Sequence, residues 1–234
     1  MGAPGVCLIT GVGPGTGRAL VQRFASAGYQ VAMLARSEDR LIEIERQTPN
    51  AHAFRCDVSD EADLIRQVGA VMARLGAPKI VVHNAVGGGF GTFLDIEPAK
   101  LERNFRINTM ALLHLAKLTV PDMIESGGGA ILCTGNTSAY RGKAQFAAFA
   151  PTKAAQRILL ESIAREAGPK GVHAAYVAID AVIDLPWTRE LMPNKPDEFF
   201  CKPADIAEEC FHIAHQRRSA WSSEIVIRPY GENW

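Results

Sequence analysis

Seven short apolar or β-branched runs alternate along this chain with six longer amphipathic stretches, and that alternation constrains the fold more than any other feature. The runs Val6–Ile9, Gln30–Ala35, Ala51–Cys56, Ile80–His83, Ala130–Cys133, Val172–Ile179 and Glu224–Ile227 have the length and residue types of strands. Between them, Thr16–Ala27, Glu38–Gln47, Glu61–Leu75, Leu101–Ile124, Ala144–Ala167 and Pro203–His215 read as helices. A strand–helix–strand rhythm needs crossover helices, which set neighbouring strands parallel and cover both faces of the sheet. Ile80–His83 is nearly all apolar, as suits a strand buried on two sides. The expected fold is α/β: one doubly wound domain over residues 1–234 with a seven-stranded parallel sheet. The least regular stretch, rich in Pro and Asp, falls within 180–200 and is expected to form a substrate lobe or lid.

Composition narrows the partners. Lys plus Arg and Asp plus Glu number 25 each, so the formal charge is zero. That balance argues against a broad electrostatic footprint for nucleic acid or for an anionic membrane. No uninterrupted apolar stretch reaches the roughly 18 residues of a membrane span. The N-terminal MGAPGVCLITG lacks a basic region and does not read as a signal peptide, and Gly2 lacks the downstream Ser/Thr of a myristoylation site. Cys7, Cys56, Cys133, Cys201 and Cys210 are scattered without paired ligand spacing, and His212 and His215 have no third ligand nearby in sequence. Reduced thiols, a cytoplasmic location and no metal site are therefore expected.

A glycine-rich turn stands between the first strand and the first helix: Thr10-Gly11-Val12-Gly13-Pro14-Gly15-Thr16-Gly17. Glycine lets backbone approach a pyrophosphate, which then rests on the free N–H groups of a helix N-terminus. Gly11, Gly13, Gly15, Thr16 and Gly17 are thus candidate contacts for a dinucleotide. The second strand ends Leu34-Ala35-Arg36-Ser37, without the acid that would accept from a ribose 2′-hydroxyl. Arg36 instead suits a 2′-phosphate, so NADP(H) is favoured over NAD(H).

With four further stations in order, the whole chain resembles the short-chain dehydrogenase/reductase family. Asp57-Val58 is similar to the family's adenine-binding pair after the third strand, and Asn84-Ala85 to its Asn-Ala-Gly, with Val86 in place of the Gly. Asn108 and Lys153 stand where the family carries the Asn and Lys of its catalytic tetrad. The resemblance implies a Rossmann fold, a small-molecule substrate, and a homodimer or homotetramer pairing through Leu101–Ile124 and Ala144–Ala167. It also implies a cofactor contact at Val182, after the sixth strand. In the family the Lys holds the nicotinamide ribose and lowers the pKa of a proton-donating Tyr; Ser positions the carbonyl oxygen, and Asn supports a relay water.

The departures fall where the chemistry should be. Phe149 replaces the Tyr, Asn136 replaces the Ser, and Asp184 takes the place of a Thr that touches the cofactor amide. Phe149 has no exchangeable proton, so a general-acid contribution of about 10²–10⁴ is missing from that position. Asn136 retains an amide donor. Two substitutes for the proton donor are open: Tyr140, four residues beyond Asn136, as in dienoyl-coenzyme A reductases, and Lys153 itself. Two functions are open as well, an NADP(H)-dependent oxidoreductase acting on a carbonyl or conjugated enone, and a nicotinamide-nucleotide-binding protein without turnover.

Overall fold

Strand phase decides how this chain stacks into layers. The computed structural model describes residues 5–231, so Gly2 and the N-terminal residues before 5 lie outside the described residues. In the first strand, β1 (Val6–Thr10), Val6 and Leu8 face one side of the sheet while Cys7 and Ile9 face the other. Next in the chain come α1 (Thr16–Ser26), β2 (Gln30–Ala35), α2 (Glu38–Gln47), β3 (Ala51–Arg55), α3 (Glu61–Leu75) and β4 (Pro78–His83). They are followed by α4 (Pro98–Phe105), α5 (Ala111–Glu125), β5 (Gly129–Asn136), α6 (Ala150–Ala167) and β6 (Val172–Ile179). Last are β7 (Val182–Ile183), α7 (Pro186–Leu191), β8 (Phe200–Cys201), α8 (Pro203–Ala214) and β9 (Glu224–Ile227).

Among the described residues the main sheet has seven strands in the order β3-β2-β1-β4-β5-β6-β9, every pair parallel. The α/β doubly wound fold expected from the alternation is therefore present. One core layer joins Ile9, Met33 and Val177 to Leu20 and Phe24 of α1 and Ile206 and Ile213 of α8. The other joins Leu8, Leu34 and Ile131 to Leu64 and Val68 of α3, Leu112 and Leu115 of α5, and Leu160 of α6. Chain order reverses between β1 and β4, and the crevice above their C-terminal ends is where such sheets bind ligands. All five cysteines are buried. Among the described residues no helix is long and apolar enough to cross a membrane.

Two expectations, both of helix bounds, need correction. The single helix over Leu101–Ile124 instead begins at Pro98 and is interrupted by a π-turn at Arg106–Met110, where Ala111 N–H reaches back to the Arg106 carbonyl. The helix expected from Ala144 begins at Ala150, because Pro151 sits in its first turn and Gln145 takes a left-handed φ of 71°. The segment 180–200, expected to form a lobe or lid, is built of short elements. It holds α7 and the two-stranded ribbon β7–β8, tied by Arg189 to Asp184 (2.7 Å) and Asp197 (2.6 Å).

Candidate active site

Above the β1/β4 switch point lies a cleft of about 420 Å³ that runs from Arg36 and Arg40 past the glycine turn to Ile183 and Trp187. It continues into a smaller hollow of about 180 Å³ lined by Thr16, Thr134, Asn136, Phe149 and Lys153. Asn84, Val86 and Ile183 border both.

The glycine turn is shaped by backbone contact. Gly11 has a left-handed φ of 72°, and a side chain there would run into the Ala85 backbone. A Cβ on Gly17 would lie 2.6 Å from the Gly11 carbonyl oxygen. Gly13, by contrast, has open space beside it, so its lack of a side chain is not a packing requirement. Asn84 braces this turn: its Nδ2 donates to the Gly11 carbonyl (2.9 Å) and its Oδ1 accepts from Thr134 Oγ1 (2.9 Å). The Thr16 hydroxyl is buried at the N-terminus of α1 and has no hydrogen-bond partner. An orphan donor at that place fits a phosphate oxygen.

At the far end, Arg36 and Arg40 are both exposed and line the cleft together. Arg40, in the first turn of α2, is not among the residues expected from the sequence. Asp57 and Val58 line the same end. Burial pushes the Asp57 carboxyl pKa up, but the Ser59 hydroxyl (2.7 Å) and N–H (3.0 Å), helped by the Arg36 charge, outweigh it and hold the carboxyl below its usual value.

The family tetrad positions come together only in part. Asn108 sits in the π-turn, fully buried. Its Nδ2 donates to the Gly87 carbonyl (2.8 Å) and Thr152 Oγ1 (2.7 Å), and its Oδ1 accepts from Gly87 N–H (2.8 Å). Lys153 is buried on α6 and reaches into the hollow, its Nζ donating to Gln156 Oε1 (2.9 Å) and the Thr134 carbonyl (3.4 Å). Burial pulls the Lys153 pKa below the usual lysine value. Phe149 places its ring in the hollow, with Lys153 Nζ 5.7 Å from the ring centre.

Asn136 lines the hollow, with its amide oxygen and one of its two N–H groups engaged elsewhere. Oδ1 accepts from Ser138 N–H (2.9 Å) and Oγ (2.7 Å), and Nδ2 donates to the Ile179 carbonyl (3.0 Å). Tyr140 is not brought to the site. It is exposed, its ring lies under the Arg157 guanidinium, and Arg157 in turn bonds Glu224 (2.9 Å), which lines a separate groove. Val182 does not line the hollow. It pairs with Phe200 in the ribbon, and because strand side chains alternate, the flanking Ala181 and Ile183 face the hollow instead. Asp184 is neutralised by a bidentate Arg189 (2.7 and 2.9 Å).

The short chain dehydrogenase family profile matches residues 5–191. The chain belongs to this family. Like it in sequence is the 7alpha-hydroxysteroid dehydrogenase of Escherichia coli K12, 28% identical over 231 residues that cover 94% of this chain and 90% of that protein. Two solved structures are similar to this short chain dehydrogenase across their length. An alcohol dehydrogenase from the archaeon Thermococcus sibiricus, complexed with 5-hydroxy-NADP, superposes with a TM-score of 0.86 at 25% identity, covering 98% of each chain. A 7 alpha-hydroxysteroid dehydrogenase complexed with NADH and 7-oxo glycochenodeoxycholic acid gives 0.85 at 25% identity, over 97% of this chain and 94% of that one. One fold carries either nucleotide in these neighbours.

Proposed function

We propose that this short chain dehydrogenase binds NADP(H) and transfers hydride between its nicotinamide and a carbonyl or conjugated enone. The observation that carries the reading is the continuity of one cleft from Arg36 and Arg40, past the glycine turn and the orphan Thr16 hydroxyl, to buried Lys153. The residues present fit the nucleotide. Arg36 and Arg40 would hold the 2′-phosphate, Asp57 and Val58 the adenine, the glycine turn and Thr16 the pyrophosphate, and Lys153 the nicotinamide ribose. When bound, NADP(H) supplies the hydride. Around the reacting end, Phe149, Ile179 and Ile183 present apolar surface to the hollow, which strengthens the field of the Lys153 ammonium.

Lys153 is the one titratable side chain among the residues lining the hollow, so in an active enzyme the proton comes from it or from water. The engagement of the Asn136 amide and the absence of a hydroxyl on Phe149 favour a second reading, nucleotide binding without turnover. Fluorescence titration with NADPH and NADH tests what both readings share. If neither nucleotide binds below the millimolar range, both readings fail together. NADPH oxidation against a panel of ketones and enones then separates them. Arg36→Ala, and separately Arg40→Ala, is expected to weaken NADPH about tenfold or more through loss of a charge-assisted bond, with NADH little changed. Equal losses for the two nucleotides would remove the arginines' assigned role.

A further inference from the structure

Lys153 is not free to choose its direction. Its ammonium is almost wholly buried, and behind it lies Gln156, one helical turn further along α6 and fully buried as well. Gln156 Oε1 accepts from Lys153 Nζ at 2.9 Å, and Gln156 Nε2 donates to the Asn108 backbone carbonyl at 2.7 Å. The Asn108 carbonyl belongs to the π-turn at Arg106–Met110, where the widened helix leaves carbonyls turned away from the regular ladder. Asn108 is itself pinned by three side-chain bonds to Gly87 and Thr152. An unbroken series of protein atoms therefore runs from the loop after β4, through the π-turn and Gln156, to the ammonium.

We propose that Gln156 is a positioning residue for Lys153: through its own amide it fixes the ammonium against the Asn108 carbonyl. The inference rests on the reading above, in which Lys153 acts at the reacting end of the cleft. A primary amide accepts and donates hydrogen bonds but does not pass protons on at neutral pH, as a water would. With two N–H groups committed to Gln156 and Thr134, the third is left for the hollow, and proton exchange at Lys153 runs through that face. The Gln156 oxygen also stabilises the charged form against burial.

The surroundings make Lys153 a clean reporter. From β5 the titratable neighbour is Cys133, whose thiol burial pushes up to about 12, and from β4 it is His83, lowered to about 4 by burial and then by the Lys153 charge. Both are uncharged near neutrality. From α6 itself the Phe149 ring faces the ammonium.

The test reads Lys153 directly. Reductive methylation with formaldehyde and a borane, followed by peptide mass spectrometry, gives the pH midpoint for reactivity of the Lys153 amine in the full chain. Gln156→Leu removes the acceptor and is expected to move that midpoint down by about one pH unit or more, while Gln156→Glu supplies a carboxylate and moves it up. Midpoints that stay put in both variants, or that shift in the same direction in both, would overturn the proposal. Gln156→Glu keeps the measurement decisive if the leucine variant folds poorly. NADPH affinity separates the two levels of inference. If Lys153→Met binds NADPH like the unmodified protein, the ribose-holding role fails even where the opposed shifts appear; if Lys153→Met weakens binding and the shifts are absent, only the Gln156 role fails.

Discussion

Replacing Phe149 by tyrosine is expected to raise NADPH-dependent reduction of a simple aryl ketone by about 10²–10⁴-fold. Phe149 caps the start of α6, and its ring already occupies the hollow beside Lys153. It is held there by Phe146 at 6.3 Å between ring centres and by the turn in which Phe149 N–H donates to the Phe146 carbonyl (3.0 Å). Adding one hydroxyl to a ring so fixed leaves the backbone and the rotamer alone. The new phenol would share the hollow with an ammonium, and a nearby positive charge lowers a phenol's pKa toward the range where it exchanges protons at neutral pH. The gain should vanish when Lys153→Met is combined with Phe149→Tyr. The Asn136 side chain need not be altered for this, because its amide shapes the turn after β5. Comparing kcat/KM across the single and double variants decides the matter. An unchanged rate in Phe149→Tyr, with NADPH affinity intact, would mean that proton supply is not what separates this chain from a ketone reductase.

What the sequence made legible was local. The inner strands of the main sheet announced themselves as apolar runs because strands buried on both faces have little polar alternation to obscure them. The glycine turn was readable because a single feature, backbone approach between β1 and α1, dictates residue type at Gly11 and Gly17. Non-local contacts decided what was not legible. Nothing in Arg106–Met110 marks a π-turn; it accompanies the bonds of Asn108 to Gly87 and Thr152, residues 21 and 44 positions away. The phase of β7, which gives Ile183 and not Val182 to the hollow, accompanies its pairing with β8. Tyr140 turns toward Arg157 and Glu224, which lie on α6 and β9. Gln156 could have been flagged from its i+3 spacing to Lys153. That spacing says two side chains meet, however, and not that their meeting point is buried against a carbonyl of another helix.

Acid should weaken the fold through His83, which lies at the switch point in a row with Thr10 and Cys133 across β1, β4 and β5. Its Nε2 faces the Ile107 carbonyl at 3.0 Å and must therefore carry the proton. Nδ1 then accepts from the Thr10 hydroxyl at 2.9 Å, and Thr10 in turn accepts from Ala85 N–H at 3.3 Å. Every member is satisfied only while the imidazole is neutral. Burial, and then the charge of Lys153, lower the His83 pKa from 6.5 to about 4. Above pH 6.5 neither folded nor unfolded chain binds this proton. Between 6.5 and about 4 the unfolded chain takes it up and the folded one resists, so stability falls as pH falls, and below the folded pKa the loss levels off. The loss is on the order of 2 kcal/mol by pH 5 and about 3 kcal/mol by pH 4. His83→Gln can keep a donor toward Ile107 and an acceptor toward Thr10 without titrating. Urea unfolding at pH 7.5 and pH 5 should therefore show a smaller acid loss in His83→Gln than in the unmodified protein, by roughly that 2 kcal/mol. Equal losses would clear His83 of the role. Because the Ala85 N–H hangs on the same hydroxyl that His83 holds, and Ala85 lines the cleft, NADPH affinity is expected to decline over the same pH interval and to decline less in His83→Gln.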